Sequence, residues 1–354
     1  MRRRFVMALG VMAVIGLIAL LLSGQGSNER ILGSGSTAVQ PLVQRLSVDF
    51  QRARSGDEDW VSGSSGVDYE AVGSLGGVMR LADPEVDFAI ADYPLSPTLL
   101  SNLDATQFPI MIGSISPVYN LDQRDGPSLR FSAATLAGIF DGRITNWSDP
   151  AIAADNPGMG LPQTAISVVR RSDGSGSTFN FSTYLSRDEG WKERFGAATT
   201  LKWTVGAGVK GSSEMAKAVA ATPGAIGYLE TGQARRAGLS IGAVRNDAGD
   251  YVNATEAGIA SASRGIALAG TMDRSGLSAP DAYPLASVFY VVMKRRNASP
   301  SDTQRTQRFF SFLFDQGDQA ARTLGYLPLA AEEIEGVRKL WTRDLGSNAT
   351  TAAN

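Results

Sequence analysis

The pentapeptide Gly-Ser-Gly-Ser-Thr occurs twice in this chain, at residues 33–37 and 174–178. Each copy follows a short apolar run and precedes a segment whose apolar residues recur at helical spacing. Glycine lets the backbone approach a ligand, and the first N–H groups of a helix lack an internal partner and favour an anion. A flexible linker is the alternative, but a linker has no reason to occupy this position twice. We therefore predict two anion-binding loops, with hydroxyl donors at Ser36, Thr37, Ser175, Ser177 and Thr178.

A third loop of the same kind carries Ser74, which precedes a glycine pair and a short predicted helix. Arg171 ends a predicted strand directly before the second pentapeptide, and Asp173 follows it two residues later. Arginine supplies a fixed fork of donors for phosphate or carboxylate, and Asp173 is close enough to orient that fork. The alternative is a surface ion pair. Three donor-rich loops and one arginine favour a small oxyanion that is held from several sides.

Asp92 ends the predicted strand "VDFAIAD", at the kind of position where strands meet a ligand cleft. An ionised carboxylate only accepts hydrogen bonds. It therefore repels a fully ionised oxyanion such as sulfate but accepts a bond from one that still carries a proton, such as monohydrogen phosphate. Asp92 is thus predicted to select a protonated anion. The alternative is that it caps the following segment "SPTLLSNL".

A competing motif is the G-x-G-x-x-G at residues 206–211, with Glu230 at the end of the next predicted strand. This is the nominal fingerprint of a dinucleotide-binding loop. A single match is weak among 39 glycines, and the chain has no histidine to move a proton beside a hydride. An NAD-dependent oxidoreductase stays a remote alternative, and the motif is otherwise a structural turn beside the cleft. We expect that the protein is not an enzyme and that it binds neither a cofactor nor a metal.

The composition narrows the function further. The chain has 354 residues, of which 43% are hydrophobic and 19% charged, and it contains neither histidine nor cysteine. Serine-histidine triads, thiol catalysis and zinc sites that need imidazole or thiolate are therefore excluded. The net charge is −2, and without Arg2, Arg3 and Arg4 the remainder has 30 basic and 35 acidic side chains. Such a balance argues against nucleic acid, which calls for a basic surface.

The N-terminus predicts export. Three arginines precede an apolar run from Phe5 to Leu22, and small polar residues follow it. Residues 1–28 are accordingly predicted to be a signal sequence or an uncleaved membrane anchor, with the rest of the chain outside the cytoplasm, in the periplasm or on the outer face of the membrane. Residues 52–66 are interpreted as a surface insertion and residues 346–354 as a disordered tail.

Between these ends, predicted short strands alternate with amphipathic helices, which indicates an α/β fold with mainly parallel sheets flanked by helices. Long apolar strands near 110–120 and 283–294 bracket the middle third. If the chain crosses between lobes there, residues 29–115 and 285–345 form lobe I and residues 116–284 form lobe II. The ligand cleft then lies between the lobes.

The chain resembles the phosphate-binding proteins of bacterial ABC-type phosphate importers, which are periplasmic substrate-binding proteins of type II. The resemblance extends from about residue 31 to 341, and its most specific part is residues 168–179. It is carried by "GSGST", "VGSLGG", "VDFAIADYPLS", "LAGIFDGRITNWSDPAI", "ISVVRRSDGSGSTFNFSTYL", "PGAIGYLE" and "YPLASVFYVV".

This resemblance implies two α/β lobes that close on a dehydrated phosphate without metal, and an ABC permease in the inner membrane as partner. The expected protein is a monomer. The implied phosphate ligands are Thr37, the backbone of Ala38, Ser74, Asp92, Arg171 with its orienting Asp173, Ser175, Gly176 and Ser177. Two positions depart from the family: Ala38 replaces a bulky aromatic residue, and Ser177 replaces a common threonine. Other oxyanions (sulfate, molybdate, an organic phosphate) and a sensing or scavenging role remain alternatives.

Overall fold

The protein is described from a computed structural model, which covers residues 30–55, 66–121, 127–263, 279–296 and 300–346. The predicted leader, most of the predicted insertion and nearly all of the predicted tail lie outside the described residues. No helix in the covered ranges is long and apolar enough to span a bilayer.

The described part of the chain contains strands β1 (Arg30–Gly35), β2 (Gly66–Glu70), β3 (Phe88–Ala91), β4 (Ala105–Tyr119), β5 (Arg130–Phe131), β6 (Ser167–Arg171), β7 (Ala207–Val209), β8 (Ala225–Glu230), β9 (Ser240–Ile241), β10 (Ala243–Arg245), β11 (Tyr251–Val252) and β12 (Ala286–Lys294). Its helices are α1 (Gln40–Ser55), α2 (Ser74–Arg80), α3 (Pro97–Asn102), α4 (Ala133–Phe140), α5 (Pro150–Asp155), α6 (Gly176–Leu185), α7 (Glu189–Arg194), α8 (Gly211–Ala221), α9 (Thr231–Arg236), α10 (Glu256–Ser263), α11 (Pro300–Gln316), α12 (Asp318–Thr323) and α13 (Ala331–Asp344).

Several helices begin where a short polar side chain accepts a backbone N–H of the first turn. Ser132 does so for α4, Asp149 for α5, Ser175 for α6 and Asp188 for α7. These side chains satisfy donors that have no partner inside the helix. The sequence therefore fixes these helix starts locally, and the start of α6 falls inside the second pentapeptide.

One large sheet runs through both predicted lobes, and lobe I and lobe II below refer to the predicted division. Its strand order is β2-β1-β3-β12-β4-β8-β6-β7, and β9 pairs with β4. The outer strands are parallel within each lobe, since β1 pairs with β2 and β3, and β6 pairs with β7 and β8. The two central strands β12 and β4 are antiparallel to each other and to their outer neighbours. This arrangement confirms the predicted two-lobe α/β class.

The two long apolar strands predicted from the sequence are β4 and β12. Every residue of β4 except Gln107 is buried, and so is every residue of β12 except Lys294. Strands covered on both faces have near-continuous apolar sequences, which is why these two were recognisable. Because the sheet continues through β4, the lobe boundaries at residues 115/116 and 284/285 stay predictions.

The alternating apolar residues Leu201, Trp203 and Val205 predict a strand at residues 201–205, and this prediction is wrong. The structure places the strand at β7, after this segment, and residues 201–205 form a loop. Leu201, Trp203 and Val205 are partly buried against the core from this loop, and the ring of Trp203 lies 6.0 Å from that of Trp191. The alternation of apolar residues thus arises from packing of a covering loop and not from strand pairing.

The sheet brings the three predicted loops to one cleft. Because β1 is the parallel neighbour of both β2 and β3, the first pentapeptide, the Ser74 loop and Asp92 follow strand ends at the same edge of lobe I. The second pentapeptide follows β6 in lobe II, where an aromatic cluster holds α6 against the sheet. Within that cluster the Phe181 and Tyr228 rings are stacked 4.5 Å apart, and the Phe140 and Phe181 rings lie 4.9 Å apart. Such pairs add about 0.5–1.5 kcal/mol beyond their area burial.

Candidate anion-binding site

The first pentapeptide forms a buried turn between β1 and α1. The Ser36 N–H donates to the Ile90 carbonyl at 2.8 Å, and the Tyr69 hydroxyl donates to the Ser36 carbonyl at 3.0 Å. The Ala38 N–H donates to Ser36 Oγ at 3.2 Å. Ser36 therefore shapes the turn from within, and β3 holds it from the side.

The same turn is fixed from behind by two side chains. Gln233 Nε2 donates to the carbonyls of Thr37 at 3.1 Å and of Ala38 at 2.8 Å, and the Tyr326 hydroxyl also donates to the Ala38 carbonyl. Because the C=O and N–H of a trans peptide point in opposite directions, fixing the Thr37 carbonyl also fixes the Ala38 N–H. Since only the backbone of position 38 is oriented in this way, alanine can replace the family's aromatic residue there.

In lobe II, Arg171 is held by Asp173. Nε of Arg171 donates to Asp173 Oδ1 at 2.6 Å, and Nη2 donates to Oδ2. Arg171 is only 4% exposed, so the alternative of a surface ion pair is excluded. Burial raises the pKa of Asp173, but the hydrogen bonds and charge of Arg171 outweigh burial and hold that pKa below its ordinary value. Asp173 therefore binds the edge of the guanidinium formed by Nε and Nη2.

The second pentapeptide opens α6. Ser175 Oγ accepts the Thr178 N–H at 3.2 Å as the cap of this helix. The Gly176 N–H donates to Ser74 Oγ at 3.2 Å, and Ser177 Oγ donates to Asp92 Oδ2 at 3.0 Å. The last two bonds run from lobe II to lobe I, so the two lobes meet at the predicted site.

Asp92 lies where the lobes meet. It is 1% exposed, and its Oδ1 accepts the Ser74 hydroxyl while its Oδ2 accepts the Ser177 hydroxyl. Burial raises the pKa of Asp92, although these two hydroxyls and the charge of Arg171 oppose the shift. The predicted alternative role as a helix cap is wrong, because Ser96 caps α3. Asp92 is therefore a buried acceptor among donors from both lobes.

Gly176 is required by the close approach of the lobes. A Cβ built at this position would lie 1.7 Å from Asp92 Oδ1 and 2.9 Å from Ser74 Oγ. No side chain fits at these distances, so only glycine lets the start of α6 reach the Asp92 carboxylate.

The structure thus brings the predicted site residues to one region. Each is connected to another member of the set, or to the turn that carries it, by the hydrogen bonds described above, and nearly all are buried. The set is Ser36, Thr37, Ala38, Ser74, Asp92, Arg171, Asp173, Ser175, Gly176 and Ser177. Their roles as anion ligands stay predictions.

Sequence reasoning missed Tyr69, Gln233 and Tyr326 around the first turn, missed Asn180 and Ser212, and placed Gly211 only in a structural turn beside the cleft. Asn180 Nδ2 donates to the Asp92 carbonyl, the Gly211 N–H donates to Asp173 Oδ1 at 3.2 Å, and the Ser212 N–H donates to Thr37 Oγ1 at 3.1 Å. One signal was present, because Gly211 and Ser212 form a fourth glycine-serine step before a helix. Ser36 and Thr37 are also residue types that often cap a helix such as α1, but the Thr37 hydroxyl contacts Ser212 across the cleft.

The G-x-G-x-x-G motif does not have the geometry of a dinucleotide loop. The fingerprint requires a strand before the motif, whereas β7 lies inside it, between Gly206 and Gly211. A Cβ on Gly206 would lie 2.7 Å from the Val168 carbonyl oxygen. The first glycine therefore permits packing on β6, and the last one begins α8.

Comparisons with known proteins identify the family of this chain. A family model described as a PBP superfamily domain matches residues 23–316. The phosphate-binding protein PstS of Xylella fastidiosa (strain 9a5c) is 32% identical over 325 residues, which cover 90% of this chain and 87% of the relative.

Two solved structures have the same fold at lower identity. A high-affinity periplasmic phosphate-binding protein (PfluDING) bound with phosphate matches with a TM-score of 0.68 at 20% identity, covering 88% of this chain and 93% of the other. The phosphate-binding protein of Stenotrophomonas maltophilia matches with a TM-score of 0.61 at 18% identity and the same coverage. The chain therefore belongs to the PBP superfamily and, within it, to the family of PstS phosphate-binding proteins.

Proposed function

We propose that this protein binds inorganic phosphate outside the cytoplasm and delivers it to an ABC-type permease. The family membership supports the class of ligand, and the site supports its chemistry. The observation that carries the proposal is the position of Asp92, a buried carboxylate that faces hydroxyl donors of both lobes and lies in the field of Arg171.

The donors of the site suit an oxyanion. Arg171 offers charged N–H groups, and the two pentapeptides with Ser74 offer hydroxyl and backbone donors in a region almost without solvent exposure. Hydrogen bonds to a charged group contribute about 1.5–3 kcal/mol each, and more donors in a dry site raise affinity further. The buried Asp92 carboxylate would repel a fully ionised anion among these donors, whereas it would accept a hydrogen bond from an anion that keeps a proton.

This argument separates the candidate ligands. Sulfate and molybdate carry no proton near neutral pH, so each would place an oxygen lone pair against Asp92. Monohydrogen phosphate can donate a P–OH bond to it. An organic phosphate that retains a proton would satisfy Asp92 too, but it needs space for a substituent where the two lobes are in direct contact. The oxidoreductase alternative has no support in the geometry of residues 206–211.

The remaining parts of the proposal concern delivery. Residues 1–28 export the chain, either as a cleaved signal or as an anchor that keeps it at the outer face of the membrane. The permease accepts phosphate from a monomer when the lobes open. Sensing or scavenging would use the same site. Phosphate uptake measured in a strain that lacks the protein distinguishes these roles from delivery, because delivery predicts that uptake falls.

Titration calorimetry with phosphate and with sulfate tests the binding proposal. The protein is expressed from its full sequence and purified after export. We expect phosphate to bind at micromolar concentration or tighter and millimolar sulfate to give no heat of binding. Equal affinity for the two anions would contradict the role of Asp92, and the absence of phosphate binding would overturn the proposed function.

A further inference from the structure

A second contact joins the lobes beside the predicted phosphate ligands. Ser212 is the second residue of α8, which packs on the sheet of lobe II, whereas Thr37 lies in the turn after β1 in lobe I. The Ser212 N–H donates to Thr37 Oγ1 at 3.1 Å, and the two hydroxyl oxygens lie 2.9 Å apart. Ser212 is 1% exposed. One residue of lobe II therefore presents two polar groups to a single hydroxyl of lobe I.

The turn that carries Ser212 also reaches the arginine of the site. The Gly211 N–H donates to Asp173 Oδ1 at 3.2 Å, the same oxygen that accepts Nε of Arg171. Gly211 has a φ of +74°, and a Cβ added there would lie 3.3 Å from Thr37 Cγ2. Glycine supplies both the backbone conformation and the space for this approach. Two successive residues thus connect the Arg171–Asp173 pair with Thr37.

The contact with Ser212 can determine where the hydroxyl proton of Thr37 points. A threonine hydroxyl has one proton and two lone pairs. When the N–H and the O–H of Ser212 both donate to Thr37 Oγ1, the two lone pairs are engaged and the proton of Thr37 points away from Ser212. The unprotonated oxygens of a bound anion accept hydrogen bonds, so this orientation makes Thr37 a donor toward the cleft. Chains of such bonds polarise one another and strengthen the last donor.

We propose that Ser212 is a positioning residue for phosphate, which orients the Thr37 proton and, together with Gly211, fastens the two lobes over the bound anion. We call Thr37, Gly211 and Ser212 the cross-cleft clasp. The inference rests on the proposed function, because Thr37 is a predicted ligand of phosphate. The contact spans the two lobes, so it forms on closure and its loss acts on release of phosphate and not on its capture.

The test compares two serines of the same helical turn. Ser212→Ala removes the buried hydroxyl, and Ser213→Ala removes an exposed one next to it. Both variants are expressed from the full sequence, purified after export and loaded with radiolabelled phosphate, which is then chased with excess unlabelled phosphate. We expect the dissociation rate of Ser212→Ala to rise about three- to tenfold, the range of one net hydrogen bond. The association rate should change less than twofold, and Ser213→Ala should match the wild type.

A double-mutant cycle with Thr37→Val distinguishes orientation from direct binding. If Ser212 acts through Thr37, adding Ser212→Ala to Thr37→Val has no further effect on the dissociation rate. An effect of full size in that background would overturn the proposal, because Ser212 would then act without Thr37. Ser212→Gly also removes the hydroxyl and serves for the same comparison if the alanine variant does not fold.

The outcomes also separate this inference from the proposed function. A wild type that binds phosphate together with a Ser212→Ala variant of unchanged dissociation rate overturns the clasp and leaves phosphate binding in place. A wild type that binds no phosphate overturns both.

Discussion

Replacing Asp92 by asparagine should weaken the preference for phosphate over sulfate. Asparagine has nearly the same shape, but it exchanges one acceptor oxygen for an NH2 donor. The hydrogen bond from the phosphate P–OH to the charged Asp92 carboxylate contributes about 1.5–3 kcal/mol, and a bond to the neutral asparagine oxygen contributes about 1 kcal/mol. Toward sulfate, a repulsive contact becomes a donor contact. The ratio of sulfate to phosphate dissociation constants should therefore fall at least about tenfold, since 1.4 kcal/mol corresponds to a factor of ten.

Asp87 supplies a matched control for this experiment. It directly precedes β3, whereas Asp92 directly follows it. Asp87 is also largely buried, and burial raises its pKa to about 6. Asp87 Oδ2 accepts the Leu32 N–H at 2.8 Å, away from the cleft. Asp87→Asn should leave the ratio of the two dissociation constants unchanged.

The assay is titration calorimetry of both variants with phosphate and with sulfate at one pH, after thermal unfolding has shown that each variant is folded. Because burial raises the pKa of Asp92, its charge is a cost to the folded state, and Asp92→Asn should not lower the stability of the ligand-free protein. A ratio that is the same in Asp92→Asn and in the wild type would refute the reasoning. So would an equal change in Asp87→Asn.

Three further predictions concern other parts of the site and its support. Arg171→Ala should lower phosphate affinity at least about a hundredfold in calorimetry, because two charge-assisted bonds are lost; wild-type affinity would mean that the anion binds elsewhere. Gly176→Ala should lower phosphate affinity at least about tenfold, because its Cβ would lie 1.7 Å from Asp92 Oδ1. The control Gly336→Ala, whose Cβ would have no atom within 4 Å, should bind phosphate normally. Equal phosphate binding by the two variants would contradict closure around Asp92. Burial raises the pKa of Glu230 from 4.5 to about 7, so its contribution to the free energy of unfolding is full below pH 4.5 and falls by on the order of 3 kcal/mol as the pH rises through 7. Urea unfolding of Glu230→Gln at pH 5 and pH 8 should show a smaller pH dependence than the wild type, and an unchanged difference would contradict this assignment.

Local sequence predicted most of the strands and helices and the type of chemistry. The apolar sequence identified β4 and β12, since each buries a nearly continuous apolar surface. It failed at residues 201–205, where Trp203 packs on the core from a loop with the same alternation that a strand would have. A pattern of burial does not specify hydrogen-bond partners, and only those distinguish a strand from a covering loop.

The sequence by itself determined which groups could bind an anion: two pentapeptides at helix starts, an arginine with its aspartate, and an acceptor at a strand end. Tertiary structure decided how they meet. Ser177 and Asp92 are 85 residues apart and Ser212 and Thr37 are 175 apart, yet each pair is hydrogen-bonded across the cleft. The physical reason is that backbone and capping preferences act over a few residues. Contacts between lobes depend on the strand order of the whole sheet, which places the loops after β1, β2, β3 and β6 and the start of α8 next to one another.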